Sequence, residues 1–138
     1  LTSQHALVLK EVRRNAESEE KEIRIQDWEK EFGLFIESDI NKVSWKDSYQ
    51  KIAHQNASGN LDTLIYQSKD PKLRTQEILI IKENDKIKEI AIKNTVQNYL
   101  YNSVEELKYY PDSLYEINKK QDVIILGSNA YHISGYFL

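Results

Sequence analysis

The chain has no cysteine, no methionine, four glycines and two prolines in 138 residues. Without cysteine there are no disulfides and no thiol chemistry. The redox compartment stays open, because a chain that never meets an oxidant and one that avoids thiols read alike. A zinc site would need histidines and distant carboxylates, and His5, His54 and His132 show no i, i+3 or i, i+4 spacing and no H-x-x-x-H pattern. No metal or cofactor is expected, and each histidine reads as exposed or structural. Without methionine, Leu1 is not an initiator, so the chain is expected to be processed or trimmed, and a removed secretory or lipoprotein-type leader would fit. The stretch 1–14 is too polar beyond Leu9 to be that leader.

The glycines are isolated. No phosphate-cradling loop and no G-x-S-x-G elbow is present. Gly127 and Gly135 suit a turn and a strand crossing. No apolar run approaches the ~20 residues of a membrane-spanning helix. Charge of one sign is also scarce: the net charge is −3, with both signs interspersed. Arg13-Arg14 and Lys119-Lys120 are too few for a nucleic-acid footprint. Glu105-Glu106 and Asp39 would serve catalysis only if one were desolvated; solvated surface acids are the simpler reading. The sequence therefore points away from an enzyme.

What is present suits one globular domain, 1–138: apolar residues make up 40% and charged residues 30%. In the first third, Ala6, Leu9, Val12 and Ala16 fall at helical spacing. Ile25, Trp28, Phe32, Phe35, Ile36 and Ile40 follow at steps of three or four. They predict an amphipathic helix, weakened but not broken by Gly33, with Glu29, Lys30, Glu37 and Lys42 on its wet face. "SWKDSYQKI" reads either as a short helix capped by Ser44 or as the start of a sheet. "HQNASGN" reads as a loop or hairpin turn; it holds the N-x-S motif Asn56-Ala57-Ser58.

From Leu61 the period becomes that of strands. "LDTLIYQS", "RTQEILIIKE", "KIKEIAIK", "TVQNYLYN", "LYEIN", "DVIIL" and "YHISGYFL" read as strands, with "KDPK", Asn84-Asp85, "KKQ" and "GSNA" as turns. "SVEELKYYPDS" reads either as a helix start, with Ser103 and Glu106 as a capping box, or as a bent strand before Pro111; the strand is preferred. Helical residues over about 1–53 and a sheet over 61–138 predict an α+β fold. Its N-terminal amphipathic helices would pack on a curved antiparallel meander.

Two runs break the strand alternation: Ile78, Leu79, Ile80 and Ile81, and Val123, Ile124, Ile125 and Leu126. In strands, each run sends apolar groups to both faces. A large aliphatic left wet forgoes roughly 1.5–3 kcal/mol, so a cover is expected on both sides. The tyrosines bear on this. Tyr99 and Tyr101 are two apart and share a face, and Tyr109 and Tyr110 fall on opposite faces if that stretch is extended. A tyrosine offers an apolar ring with a polar tip, suited to a cavity mouth or interface. Cross-strand tyrosines also simply favour sheets. On the last strand, Tyr131, Ile133, Gly135 and Phe137 share a face, as do Tyr115 and Ile117 on the one before.

The helix containing "DWEKEFGLFIESDINK", the meander with "LIIKENDKIKEIAIKN" and the closing "VIILGSNAYHISGYF" together resemble uncharacterised extracytoplasmic, lipoprotein-type α+β domains of Gram-negative bacteria. The resemblance rests on element order and brings no functional motif. It implies a periplasmic or surface location, with a leader and a lipid-bearing cysteine upstream of Leu1. The resulting expectation is a non-enzymatic binding domain holding an apolar or amphipathic ligand, or a protein partner, on a sheet face. "ILII" and "VIIL" would line the concave side, with Tyr99, Tyr101, Tyr109 and Tyr115 at its mouth. The alternatives are a homodimeric interaction module, burying at least ~1,000 Å², and an enzyme of unknown chemistry.

Overall fold

The structure, a computed structural model, describes residues 7–41, 47–56 and 59–138. His5, Ala6, the Ser44 cap, and Ala57 and Ser58 of the N-x-S motif lie outside the described residues. Among the described residues nine strands alternate up and down: β1 (Leu7–Arg14), β2 (Glu17–Arg24), β3 (Tyr49–Gln55), β4 (Leu61–Ser68), β5 (Thr75–Glu83), β6 (Lys86–Gln97), β7 (Tyr101–Tyr110), β8 (Leu114–Val123) and β9 (Gly127–Phe137). Two short helices, α1 (Trp28–Glu31) and α2 (Gly33–Glu37), lie between β2 and β3. The strands form one antiparallel sheet in the order β2-β1-β9-β8-β7-β6-β5-β4-β3. Thus β3 to β9 is a continuous meander, and the N-terminal hairpin joins its far side by pairing β1 with β9.

This corrects the predicted α+β class. Of the described residues, 66% are strand and 7% helix, and none of those before Gln55 form packed amphipathic helices. The reason is visible in the N-terminal hairpin. Val8, Lys10 and Val12 pair with Phe137, Gly135 and Ile133 and share their face, a period of two that the Leu9–Val12–Ala16 spacing disguised. β2, "ESEEKEIR", is almost wholly charged. Such a strand shows no alternation, yet it suits a sheet edge, where charge discourages pairing with another chain. The predicted long helix is also corrected. Helix begins only at Trp28, where the Asp27 side chain accepts from Lys30 N at 3.1 Å, and it is interrupted at Phe32. Ile36, in the expected apolar stripe, is 56% exposed.

The antiparallel meander from Leu61 is as the period predicted, with three shifts of boundary. "TVQNYLYN" is not a strand of its own: "TVQ" ends β6, 98–100 turn, and Tyr101 opens β7. "KKQ" lies inside β8 and "GSNA" opens β9. Accordingly "VIIL" is not the middle of a strand. Val123 ends β8, and Ile124, Ile125 and Leu126 form the turn, 74%, 90% and 82% exposed. The concave lining assigned to this run is therefore absent. The other run behaves as two-faced: Ile78 and Ile80 pair with Ile92 and Ile90, and Leu79 and Ile81 with Ala91 and Glu89. All four are half-buried.

The core lies on one face, beneath the helical segment. Val8, Ile25 and Tyr115 are buried there under Trp28, Phe32 and Phe35. Ile92, Leu107 and Ile117 continue it under Leu34 and Phe35. Register explains the grouping: Ile92 faces Leu107, Leu107 faces Ile117, and Ile117 faces Ile133. Six rings interlock at this site, Phe32 standing edge-on to Tyr115 with centroids 5.0 Å apart. The opposite face carries Glu106, Lys108, Glu116 and Asn118 along β7 and β8, so the middle of the sheet is polar on that side. Towards β3 an apolar row remains, Ile52 to Ile65 to Leu79 to Ala91.

Candidate functional site: a cleft beneath the helical segment

The helical segment is too short to cover the whole sheet face. Its N-terminal turn seats Trp28 and Phe32 in the aromatic cluster, and α2 carries Leu34 and Phe35 towards Leu107. Between the segment and strands β2, β1, β9 and β8 a cleft of about 610 Å³ is left. Its floor is aliphatic: Ile23, Ile25, Leu34, Ile117 and Ile133. Gly33 lines it too, and a methyl built on Gly33 would meet no atom within 4 Å.

The rim is charged. Lys10, Arg24 and Lys30 are present with Asp27, Glu31 and Glu37. The three carboxylates are engaged by the protein. Asp27 caps α1. Glu31 receives a hydrogen bond from Lys10 Nζ at 3.0 Å and one from the Tyr115 hydroxyl at 2.5 Å. Glu37 lies 3.4 Å from Arg74. The Lys30 ammonium is exposed and has no ion-pair partner among the described residues. Burial, the hydrogen bond to Glu31 and the Glu31 charge push the Tyr115 hydroxyl far above the ordinary tyrosine value. It is a fixed neutral donor.

A second polar group adjoins the cleft through Glu37. Glu105, 2% exposed on β7, receives Arg74 Nη2 at 2.9 Å and Asn94 Nδ2 at 3.2 Å, with Lys119 Nζ at 3.7 Å. Asn94 Nδ2 also donates to Ser38 Oγ at 2.9 Å, and Ser38 Oγ donates to Leu34 O at 2.7 Å. This ties the end of α2 to the sheet. Arg74 Nε, Asn94 Oδ1 and Ser103 Oγ are buried without a hydrogen-bond partner among the described residues. His132 Nδ1 lies 2.5 Å from Asn118 Oδ1 on the far face, and His54 is exposed on β3. No group of three metal-ligating side chains, and no helix long and apolar enough to cross a membrane, occurs among the described residues.

The four tyrosines singled out from the sequence do not form one mouth. Tyr109 and Tyr115 are brought together as direct cross-strand partners in the aromatic cluster, Tyr115 fully buried. Tyr99 is 93% exposed in the β6–β7 turn. Tyr101 opens β7 and lines a smaller hollow beside Asn98 and Ile124. Lys10, Lys30, Gly33 and Leu34 were not expected at a site, Lys30 being read only as a wet-face charge and Gly33 only as a weak point of the helix. Their convergence depends on residues 28–37 crossing back over β8 and β9, a contact with no local signature. Ile117 and Ile133 did carry one, since alternation placed each on the apolar face.

No family model, curated protein or solved structure matches this chain.

Proposed function

We propose that the chain is a binding domain for a small amphipathic molecule. The apolar body rests on Ile117 and Ile133, and an anionic head meets Lys30 at the rim. The cleft supports this reading: its volume falls within the roughly 300–1,000 Å³ of small-molecule sites, and it pairs an aliphatic floor with few polar groups. The charge balance favours an anion, because the rim carboxylates are already engaged while Lys30 is not.

The test is a fluorescence titration with dansyl-undecanoic acid, an amphiphile with a carboxylate head. Wild type should give saturable one-to-one binding. Gly33→Leu extends a side chain into open space and replaces a helical glycine, so it should not lower the melting temperature and should weaken binding at least tenfold, about 1.4 kcal/mol. Lys30→Glu should weaken the acid but not its methyl ester. Absence of saturable binding, or full affinity in folded Gly33→Leu, rejects the cleft as the site.

A further inference from the structure

Turns on protein surfaces are ordinarily polar, and two neighbouring turns of this sheet are not. Residues 98–100, between β6 and β7, present Tyr99 and Leu100 at 93% and 71% exposure. Residues 124–126, between β8 and β9, present Ile124, Ile125 and Leu126 at 74–90%. Both lie at the same end of the sheet, because β7 and β8 are adjacent and Tyr101 pairs with Val123. Ile124 N donates to Leu100 O at 3.1 Å, which joins the turns into one tip. The tip is built rather than loose. Asn98 Oδ1 accepts from Leu100 N at 2.8 Å and Tyr101 N at 2.9 Å. Gly127 takes the left-handed backbone that closes the second turn, φ +88°. No formal charge occurs in "NYLY" or "VIILG"; the nearest, Asp122, bonds to Ser128.

We infer that this double tip docks the protein on the surface of a lipid bilayer, with Tyr99, Leu100, Ile124, Ile125 and Leu126 entering the headgroup–acyl boundary. Size decides against a second copy of the chain. Four strands at about 4.8 Å spacing make the tip only about 15 Å across, whereas a stable protein interface takes about 800 Å² and 20–30 residues from each partner. A bilayer needs no shape complement, only apolar area delivered to a depth of about 5–10 Å, which two three-residue turns can reach. Tyrosine suits the boundary itself, with its ring in the apolar zone and its hydroxyl among headgroups. The uncharged tip commits the partner to lipid of any headgroup charge: binding should not depend on anionic lipid or on salt.

The test is co-sedimentation of the full chain with phosphatidylcholine vesicles. Wild type should pellet with the vesicles, equally at low and high salt. Ile125→Asp/Leu126→Asp, confined to exposed positions, should lower the partition coefficient at least about tenfold. Ile36→Asp, an exposed aliphatic elsewhere, should not. Wild type remaining in the supernatant overturns the inference, as does equal pelleting of the double variant. So does lipid-free self-association that the double variant abolishes, since the tip would then meet another copy.

Discussion

The Tyr115 ring lies across Gly135, its directly opposed partner on the neighbouring strand. A methyl built on Gly135 would stand 2.3 Å from ring atoms Cε1 and Cζ and 2.6 Å from the hydroxyl oxygen. Glycine is required here for space, not for an unusual backbone. The ring cannot retreat, because Trp28, Phe32 and Phe137 surround it at centroid distances of 5.0–6.4 Å. Gly135→Ala should therefore cost about 3 kcal/mol, the upper end for overpacking, and lower the melting temperature by roughly 10 °C. A change under 2 °C in a thermal melt would mean that the ring has room to move.

The same tyrosine sets an alkaline limit. Burial first, then the hydrogen bond and charge of Glu31, hold its hydroxyl above the ordinary value of 10.0. Burial first, then Asp112, raises Tyr109; burial first, then Asp70, raises Tyr49. A phenol whose pKa is raised by folding stays protonated in the native state while the unfolded chain ionises. Its contribution is complete below about pH 10 and is lost progressively above it. Urea midpoints should be level between pH 7 and 9 and fall from pH 10 upward. Tyr115→Phe should be about 1.5 kcal/mol less stable at pH 7, through the lost bond to Glu31. The gap should narrow above pH 10, because phenylalanine has no proton to lose. A constant gap across that range contradicts the assignment.

The meander was legible because its cues are local. "LDTLIYQS" matches β4, and Asn84-Asp85 supplies the two left-handed residues of a tight hairpin turn, φ 52° and 65°. The N-terminal hairpin was hidden because its stability is not local: β1 is held by β9, more than a hundred residues away in sequence. "VIIL" misled for a different reason. Hydrophobicity predicts burial only where burial is what the position serves, and here three aliphatics occupy a turn. "KKQ" looked like a turn, yet Lys119 turns inward towards Glu105 while Lys120 faces water. The cleft's floor could be read from alternation. Its walls come from a ten-residue crossover whose landing place no periodicity encodes.

That inward charge leads to a third prediction. Glu105 is 2% exposed and depends on Arg74 at 2.9 Å. Truncating one partner of a buried pair leaves the other charge without compensation. Arg74→Ala should cost about 3 kcal/mol, the low end for such pairs, since Lys119 remains 3.7 Å away. Glu37, 60% exposed at 3.4 Å from the same guanidinium, should matter little, and Glu37→Ala should change the urea midpoint by less than about 0.5 kcal/mol equivalent. Equal effects of the two substitutions would show that the burial of Glu105 does not govern the cost.

The N-terminal hairpin carries a pairing that opposes its own formation. Lys10 stands directly opposite Lys21, and Glu11 directly opposite Glu20. Like charges across a strand pair destabilise it by a few tenths of a kcal/mol to about 1. Part of this is relieved on the β1 side, where Lys10 reaches Glu31 at 2.9 Å and Arg13 reaches Glu11 at 3.3 Å. On β2 the Lys21–Glu19 pair, at 3.9 Å, joins two exposed side chains and offsets little of it. Exchanging the two residues, Glu20→Lys with Lys21→Glu, leaves composition and net charge untouched and converts both pairs to opposite charges. The exchanged hairpin should gain about 0.5–1 kcal/mol. Amide hydrogen exchange should slow across Leu7–Arg14 and Glu17–Arg24 and nowhere in β4 to β7. If protection is unchanged, the facing pairs do not set the strength of this edge, and the β1–β9 contact alone holds the hairpin on the sheet.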